Sequence, residues 1–288
     1  MTDAGQDDYE LLDSGDGRKL ERFGPHLLAR PAASAVWKPA LPQSEWDKAD
    51  AWFDRDSGNS WTCRNPLPAS WNIAVTGLKF KLSTTAFGHL GIFPEQRASW
   101  KWIQHAIGTA QQNRREKVAI LNLFAYSGGS TLAAAAAGAQ VCHLDASKGM
   151  VARARENAQL NGLDSAPIRW IVDDVTKFLD RELRRGSHYD GIILDPPSFG
   201  RGKSGEVYKI ENDLTDTLSK CIKLLSRNPL FLLLSCHTPA YTPIVMRNLV
   251  LQATGQLKGV VESSEMLLTG KAGIMPLPSG TSAYFLAQ

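Results

Sequence analysis

A glycine turn between two apolar runs constrains this chain more than any other feature of its sequence. Residues 121–129 read Leu-Asn-Leu-Phe-Ala-Tyr-Ser-Gly-Gly, an alanine-rich run follows, and residues 141–145 read Val-Cys-His-Leu-Asp. This order predicts a strand, a turn, a helix and a second strand that ends in an acid. Gly128 and Gly129 can adopt backbone angles closed to other residues, and Asp145 falls where a carboxylate accepts hydrogen bonds from ribose hydroxyls. The pattern therefore predicts a ligand-binding βαβ unit.

The spacing of the glycines narrows the choice of ligand. This turn has neither the G-x-G-x-x-G pattern of dinucleotide sites nor the G-x-x-x-x-G-K-[ST] pattern of phosphate loops. The predicted ligand is therefore a nucleoside without a pyrophosphate, and S-adenosylmethionine fits that description.

A second motif follows another apolar run. Residues 189–194 lead into Asp195-Pro-Pro-Ser-Phe199, and the two prolines stop the strand and hold the chain rigid. We expect the Asp195 carboxylate and the Pro196 carbonyl at the carboxyl end of the strand, next to the cofactor. The motif resembles the catalytic motif of class I methyltransferases that act on nucleobases, which implies that Pro197 and Phe199 contact the substrate. A lone Asp-Pro-Pro is also a common turn, but its position after the glycine-turn unit favours a methyltransferase fold.

Composition and charge are those of a soluble, unexported protein. With 288 residues, 43% of them hydrophobic, the chain can bury one large core plus an appendage. The net charge of +3 gives only mild attraction to polyanions. The four cysteines form no C-x-x-C pair and no zinc pattern with histidine, so we expect reduced thiols, no metal and a cytoplasmic location. No apolar run reaches membrane-spanning length, so no membrane partner is expected.

The first part of the chain has a different character from the rest. Seven of the eight tryptophans fall within the first 102 residues, and short β-like runs flank turns at residues 13–17 and 76–77. These runs predict hairpins of residues 9–12 with 19–23 and of 71–75 with 78–82. We therefore predict a β-rich accessory module over residues 1–85 and a methyltransferase domain over residues 86–288. The tryptophans are interpreted as a small β core, with a base-stacking platform as the alternative.

From residue 97 onward, helical and strand patterns alternate. The predicted helices are 97–113, 131–137, 148–160, 175–184, 212–225 and 242–254, and the predicted strands are 118–124, 140–144, 168–172, 191–194, 230–235, 260–268 and 283–286. Five parallel βα units closed by a strand pair predict an α/β fold. The expected architecture is a Rossmann-like, mostly parallel seven-stranded sheet with helices on both faces and ligands at the strand carboxyl ends.

Several motifs in this order resemble one known family. Residues 91–97 are similar to Gly-Phe-[Phe/Tyr]-Leu-Asp-Gln-Arg, residues 122–129 to Asn-Leu-Phe-Ser-Tyr-Thr-Gly-Gly, and residues 173–175 to Asp-Asp-Val, all typical of bacterial large-subunit ribosomal RNA cytosine-C5 methyltransferases. Residues 208–209 and 235–236 match parts of that family's Gly-Tyr-Lys and Ser-Cys-Ser. The resemblance implies RNA, above all ribosomal RNA, as the substrate. Two departures are that His237 replaces the final Ser and that residues 1–85 do not resemble the family's RNA-binding PUA domain.

The strand ends and the resemblance together suggest the cofactor residues. Asp145, followed by Ala146, is expected to hold the ribose hydroxyls; the alternative is a cap for the helix that begins near Lys148. Asp173 or Asp174 is expected to accept the adenine amino group; Asp174 is favoured, with Val175 covering the ring, which would leave Asp173 as a helix cap.

Further cofactor and target contacts are expected on two other segments. Phe124, Tyr126 and Ser127 lie on the turn that faces the methionine half of the cofactor, although a packing role for Phe124 is an equal alternative. Gln96 and Arg97 resemble the family's first motif and are expected near the cofactor or the target, unless they merely start a helix.

Cys236 determines the predicted chemistry. It follows the predicted strand 230–235, which is the neighbour of the strand that precedes Asp195. The two side chains are therefore expected to converge on a flipped base. A thiolate that attacks C6 of cytosine generates an enamine that takes a methyl group at C5. Asp195, protonated or bonded to N3, would stabilise the charge that develops on the ring. The alternative is a buried structural cysteine, and His237 is either the base of the thiol or a surface residue.

The remaining candidates lie after the Asp-Pro-Pro motif. Arg201, Lys203 and Lys209 are expected to bind a phosphate of the target strand or to form a solvated, mobile loop. Cys63, Cys142 and Cys221 are predicted to pack in a turn, a strand and a helix. Two other function classes stay open, a methyltransferase of a small molecule or protein and a non-catalytic RNA-binding protein. The oligomeric state is not predicted.

Overall fold

The chain divides into two units. A computed structural model describes residues 7–55, 58–112, 115–202 and 205–288. One unit comprises Met1–Arg97 and Leu267–Ser279, and the other comprises Ala98–Met266 and Gly280–Gln288. The accessory module predicted for residues 1–85 lies within the first unit, and its boundary with residues 86–288 stays a prediction.

The first unit is built mainly from β-strands, as its turns predict. Its five-stranded sheet has the order β1-β2-β3-β4-β5, a two-stranded sheet pairs β6 with β7, and a single 3₁₀ turn covers Pro94–Gln96. The elements are β1 (Tyr9–Gly15), β2 (Arg18–Phe23), β3 (His26–Pro31), α1 (Gln43–Trp46), β4 (Ala51–Asp54), β5 (Ser60–Cys63), β6 (Trp71–Val75) and β7 (Leu78–Leu82). Both predicted hairpins are confirmed. Asp16 and Gly17, with φ of 49° and 75°, turn the first one as two-residue hairpin loops require.

The indole groups of this unit serve its own packing. Trp46 is buried and donates from Nε1 to Asp13 Oδ2 at 3.0 Å. Trp37, Trp61 and Trp71 donate to backbone carbonyls at 2.9, 2.9 and 3.2 Å. A buried indole N–H needs such a partner, so these contacts support the interpretation of a small β core.

The second unit contains the predicted seven-stranded sheet. Its order is β10-β9-β8-β11-β14-β16-β15, with β8, β9, β10, β11 and β14 parallel and β16 antiparallel to β14. The strands are β8 (Ala119–Leu123), β9 (Gln140–Asp145), β10 (Ile168–Val172), β11 (Gly191–Leu194), β12 (Phe199–Arg201), β13 (Val207–Lys209), β14 (Phe231–Cys236), β15 (Gly259–Leu268) and β16 (Leu277–Ala287). The helices are α2 (Arg97–Gln112), α3 (Gly129–Ala136), α4 (Lys148–Leu160), α5 (Val175–Arg185), α6 (Ile210–Leu224) and α7 (Pro243–Thr254). The Rossmann-like fold class is confirmed.

The central strands carry the core. Every residue of β11 and β14 is buried, as expected for parallel strands covered by helices on both faces. Leu194 of β11 pairs with Leu234 of β14, so the residues that follow these two strands emerge at the same edge of the sheet. No helix within the described residues is long and apolar enough to cross a membrane.

Three local features differ from what the sequence predicted. Residues after the Asp-Pro-Pro motif form the β12–β13 hairpin, with Phe199 opposite Lys209 and Arg201 opposite Val207, whereas no strand was predicted there. Strand β16 begins at Leu277, six residues before its predicted start, and its ladder with β14 begins at Thr281, opposite Cys236. Cys63 ends β5 with an exposed side chain, whereas Cys142 and Cys221 are buried as predicted.

Candidate functional site

The turn between β8 and α3 has an unusual backbone. Phe124, Tyr126 and Gly128 have φ of 56°, 49° and 93°. Positive φ is costly for side chains such as Phe and Tyr, and such residues cluster at functional sites. Asn157 of α4 holds the turn by donating from Nδ2 to the Ser127 carbonyl at 2.9 Å, and this bond is buried. The predicted ligand-binding turn is therefore a fixed, strained loop.

The two glycines of this turn are needed for different reasons. A Cβ on Gly128 would lie 3.0 Å from Ala154 Cβ, and its φ is left-handed. Gly129 is not in the left-handed region, so the backbone reason predicted for it was wrong. A Cβ there would lie 2.6 Å from Cζ2 of the Trp100 indole. Gly129 thus makes room for Trp100.

Asp145 ends β9 and organises the same turn. Its Oδ2 accepts the Tyr126 amide and its Oδ1 accepts the Ser147 amide, both at 2.8 Å. Burial raises the pKa of this carboxyl, and the two amide bonds oppose the rise. The alternative role as cap of α4 was wrong, because Ser147 Oγ accepts the Met150 amide at 3.3 Å. Each carboxylate oxygen has a second acceptor position, so Asp145 can still bind ribose hydroxyls.

The acidic pair after β10 is assigned differently by the structure. Asp174 is the N-cap of α5 and accepts the Lys177 amide at 3.0 Å, so the prediction of Asp173 as the cap was wrong. Asp173 accepts the Asp174 amide at 2.8 Å and forms an ion pair with Arg181. Val175 is buried at the start of the helix. The predicted contacts of Asp174 and Val175 with adenine stay predictions.

The loops after β11 and β14 meet. His237 Nδ1 lies 3.5 Å from Asp195 Oδ1, and Ser198 and Thr238 share a hydroxyl hydrogen bond of 2.7 Å. Asp195 is half-buried rather than buried, while Pro196 is buried and Pro197 is exposed. The Asp195 side chain is thus 26% exposed although its Oδ1, which faces His237, is buried, and a partly exposed imidazole lies beside it.

Cys236 lies at the same edge but is enclosed. Its side chain is 1% exposed, and Sγ accepts the Thr238 amide at 3.3 Å. Burial raises the pKa of this thiol and the charge of Asp195 adds to the rise, whereas the Thr238 hydrogen bonds and the charge of His237 act in the opposite direction. The strand-end position and the nearness to Asp195 agree with the prediction, whereas the burial resembles that of a structural cysteine.

The β12–β13 hairpin carries the predicted substrate contacts. Phe199, Arg201 and Lys209 are exposed, and Arg201 lies over the Phe199 ring at 5.6 Å. Tyr208 points the other way and packs edge-on against Phe124 with ring centroids 4.9 Å apart. The hairpin thus presents one aromatic and two cationic side chains outward. Lys203 lies outside the described residues.

Gln96 and Arg97 belong to the first unit. Gln96 is buried in the 3₁₀ turn. Arg97 donates to the Pro94 carbonyl at 3.0 Å, lies 3.6 Å from Asp7 and covers the Tyr9 ring. These contacts give Arg97 a packing function, and the predicted contacts of both residues with cofactor or target stay predictions.

Sequence reasoning missed a buried polar chain under the glycine turn. Asn122 Nδ2 donates to Thr131 Oγ1, and Thr131 Oγ1 lies 2.9 Å from His143 Nδ1, so the chain links β8, α3 and β9. Burial, aided by the charge of Arg155, lowers the pKa of His143 to about 3, so its ring is neutral at pH 7. Asn and His inside otherwise apolar strands were the available signal.

Comparison with known proteins gives four similarities. A family model described as S-adenosylmethionine-dependent methyltransferase matches residues 29–262. The crystal structure of a SAM-dependent methyltransferase from Agrobacterium tumefaciens is similar with a TM-score of 0.92 and 39% identity, covering 99% of this chain and 92% of that one. Ribosomal RNA large subunit methyltransferase I from Escherichia coli is 28% identical over 253 residues, 81% of this chain and 61% of that protein. Methyltransferase K/L of Shewanella sp. is 34% identical over 155 residues, 53% of this chain and 21% of that protein. The chain therefore spans less than two thirds of either curated relative.

Proposed function

Because the chain belongs to the S-adenosylmethionine-dependent methyltransferase family, whose model matches residues 29–262, we propose that it methylates a base of ribosomal RNA. The observation that carries this proposal is the meeting of the Asp195 and His237 side chains, 3.5 Å apart, at the strand edge where ligands of such sheets bind. Two relatives named as ribosomal RNA large subunit methyltransferases support RNA as the substrate class.

The residues of the glycine turn fit the cofactor of this family. The left-handed Gly128 leaves the turn without a side chain at that position, and Asp145 offers a carboxyl group at a strand end. We assign the ribose hydroxyls to Asp145, with Ala146 beside it, and the adenine amino group to Asp174. Phe124, Tyr126 and Ser127 would border the methionine half. S-adenosylmethionine supplies an electrophilic methyl group.

Within this proposal, the first candidate for the methylated atom is C5 of cytosine. Cys236 as the thiolate would bond to C6 while C5 takes the methyl group, and departure of the C5 proton would break the bond to C6 and restore the thiolate. Asp195 would hydrogen-bond to the ring and stabilise the charge that develops there. The position of Cys236 at the end of β14, beside the loop that carries Asp195, supports this assignment, although the charge of Asp195 adds to the rise of the thiol pKa. The exposed Phe199, Arg201 and Lys209 would contact neighbouring bases and phosphates.

A nitrogen atom of a base is the second candidate. Burial of Cys236 and the raised pKa of its thiol favour it, because a protonated thiol is a poor nucleophile. Asp195 and the Pro196 carbonyl would then hold an amino group without any covalent step.

Nucleoside analysis tests whether the substrate is RNA. Nucleoside mass spectrometry of ribosomal and transfer RNA, from cells with and without this gene, should reveal one methylated nucleoside that depends on the gene. If RNA from both kinds of cell contains the same methylated nucleosides, the result would contradict an RNA substrate and would favour a small molecule or a protein as the substrate.

Trapping distinguishes the two candidate atoms. RNA that contains 5-fluorocytosine should form a covalent complex with the wild-type protein if Cys236 attacks C6, because fluorine at C5 blocks release of the thiol. Cys236→Ala should abolish both trapping and turnover, with Cys221→Ala as a control for a buried cysteine on α6. Normal turnover by Cys236→Ala would show that the product is an N-methylated base.

A further inference from the structure

We propose that His237 accepts, through Asp195, the proton that leaves the target base during methylation. The inference rests on the function proposed above and adds a residue to it. His237 would be a positioning and proton-accepting residue behind Asp195, which itself contacts the base.

The need for a proton acceptor follows from the balance of the reaction. The base gains a methyl group and loses one hydrogen as a proton, whether a C–H bond at C5 or an N–H bond breaks. The positively charged methyl donor becomes a neutral thioether, so one positive charge must leave the site as that proton. General bases of this kind contribute typically about 10²–10⁴-fold to a rate.

The geometry offers one path for this proton. His237 Nδ1 lies 3.5 Å from Asp195 Oδ1, and the two side chains are 31% and 26% exposed. A carboxylate that touches the base can take the proton first, and the imidazole behind it can take it next. Because almost a third of the imidazole is exposed, water can then remove the proton.

The chain holds this imidazole in position from several sides. The hydrogen bond of 2.7 Å between Ser198 and Thr238 ties the two loops together. A Cβ on Gly280 would lie 3.2 Å from His237 Cδ2, so β16 packs closely against the ring. Thr281 donates to the Tyr241 carbonyl at 2.6 Å and fixes the far end of the same loop. A surface histidine without a function would not require this packing.

The titratable groups around His237 are Asp195, Cys236 and Tyr241. Asp195 faces it from the loop after β11. Burial raises the pKa of the Cys236 thiol, to which the Asp195 charge adds, and burial raises the pKa of the Tyr241 hydroxyl, to which Cys236 and Glu211 add, so thiol and phenol are protonated at neutral pH. An unperturbed imidazole titrates between pH 5 and 8.

Kinetics of variants test the proposal. His237→Asn should lower kcat on ribosomal RNA about 10²-fold with little change in KM for S-adenosylmethionine. Wild-type turnover should rise with pH as the imidazole loses its proton, and the variant should lack this limb of the profile. His105→Asn, an exposed histidine on α2, is the matched control and should leave both unchanged. Equal kcat and the same pH profile in His237→Asn and wild type would overturn the proposal.

A second measurement separates this proposal from the RNA assignment. The imidazole resonances of His237 can be titrated by NMR without RNA or cofactor, and Asp195→Asn should move the midpoint to lower pH because the facing carboxylate favours the charged ring. An unmoved midpoint would contradict the proposed interaction between Asp195 and His237, whatever the substrate. If wild type methylates no RNA but the midpoint moves, the RNA proposal fails and the proton-accepting pair is retained for another acceptor.

Discussion

At the scale of single residues, Asp145 is the proposed link between the glycine turn and the cofactor. Asp145→Ala should weaken binding of S-adenosylhomocysteine by about 1–3 kcal/mol, the usual range for a lost buried hydrogen-bonding group. Isothermal titration measures this loss. Asp164→Ala removes an exposed carboxylate between α4 and β10 and should leave the affinity unchanged.

The Asp145 carboxyl also makes the affinity for the cofactor depend on pH in this proposal. Burial raises the pKa of Asp145, so on acidification it is neutralised at a higher pH than an exposed aspartate. Only the ionised form offers all its acceptor positions to ribose, so the affinity should fall as the pH drops through this raised pKa. Titrations of wild type and Asp145→Ala between pH 8 and about 4.5 would check this, and a parallel decline in both proteins would contradict it.

Asp195 should matter for turnover rather than for cofactor binding. Asp195→Ala removes a group that acts on charge developing in the base, so kcat should fall about 10²–10³-fold while the affinity for S-adenosylhomocysteine stays within twofold. Single-turnover methylation and calorimetry measure the two quantities. Activity close to wild type would mean that the Asp-Pro-Pro segment only shapes a turn.

Individual residues also mark where sequence reasoning stopped. The positions of Asp145, Asp195 and Cys236 at strand ends were predictable, because strand periodicity and prolines fix where a strand ends. Asp174 rather than Asp173 caps α5, because Asp173 pairs with Arg181, two turns further along the helix. The choice between the two acids could not be made from their order in the sequence. The need for glycine at 129 depends on Trp100, a contact that local sequence does not encode.

At the scale of elements, the glycine turn should be more sensitive to substitution than its backbone angles alone imply. Gly128 and Gly138 share a φ of 93°, but a Cβ at 138 meets nothing within 4 Å whereas one at 128 meets Ala154 at 3.0 Å. Gly138→Ala should therefore show the cost of the backbone conformation alone, about 1–3 kcal/mol. Gly128→Ala should cost more and should also weaken cofactor binding. Chemical denaturation and calorimetry of both variants test this, and equal behaviour of the two would contradict it.

Most elements were predictable because apolar periodicity dominates them. Helix α4 and strands β10 and β11 have the predicted bounds. The β12–β13 hairpin was not predictable, since the glycines around it are typical of loops and its stabilising contact, Tyr208 against Phe124, is made with a distant turn.

At the scale of the whole molecule, the net charge of +3 is too small to attract RNA without a local surface. The exposed Arg201 and Lys209 of the β12–β13 hairpin are the candidates for such a local RNA-binding surface. Arg201→Ala and Lys209→Ala should each weaken RNA binding across sequences and reduce the salt dependence of log K by about one unit.

Matched controls come from the opposite edge of the sheet. Arg227 precedes β14 and Lys223 lies in the last turn of α6, and both are exposed. Alanine at these positions makes the same change of charge and should leave the salt slope unchanged. An equal effect of all four substitutions in filter binding would indicate general charge attraction rather than a hairpin contact.

The exposure of Cys63 at the end of β5 has a practical consequence. The other three thiols are buried, so a maleimide dye should react with the folded wild-type protein at one position. A fluorescent reporter would then lie on the first unit while every residue of the glycine turn and the Asp195 loop keeps its native side chain. Fluorescence anisotropy of that single label could follow the encounter with RNA in real time.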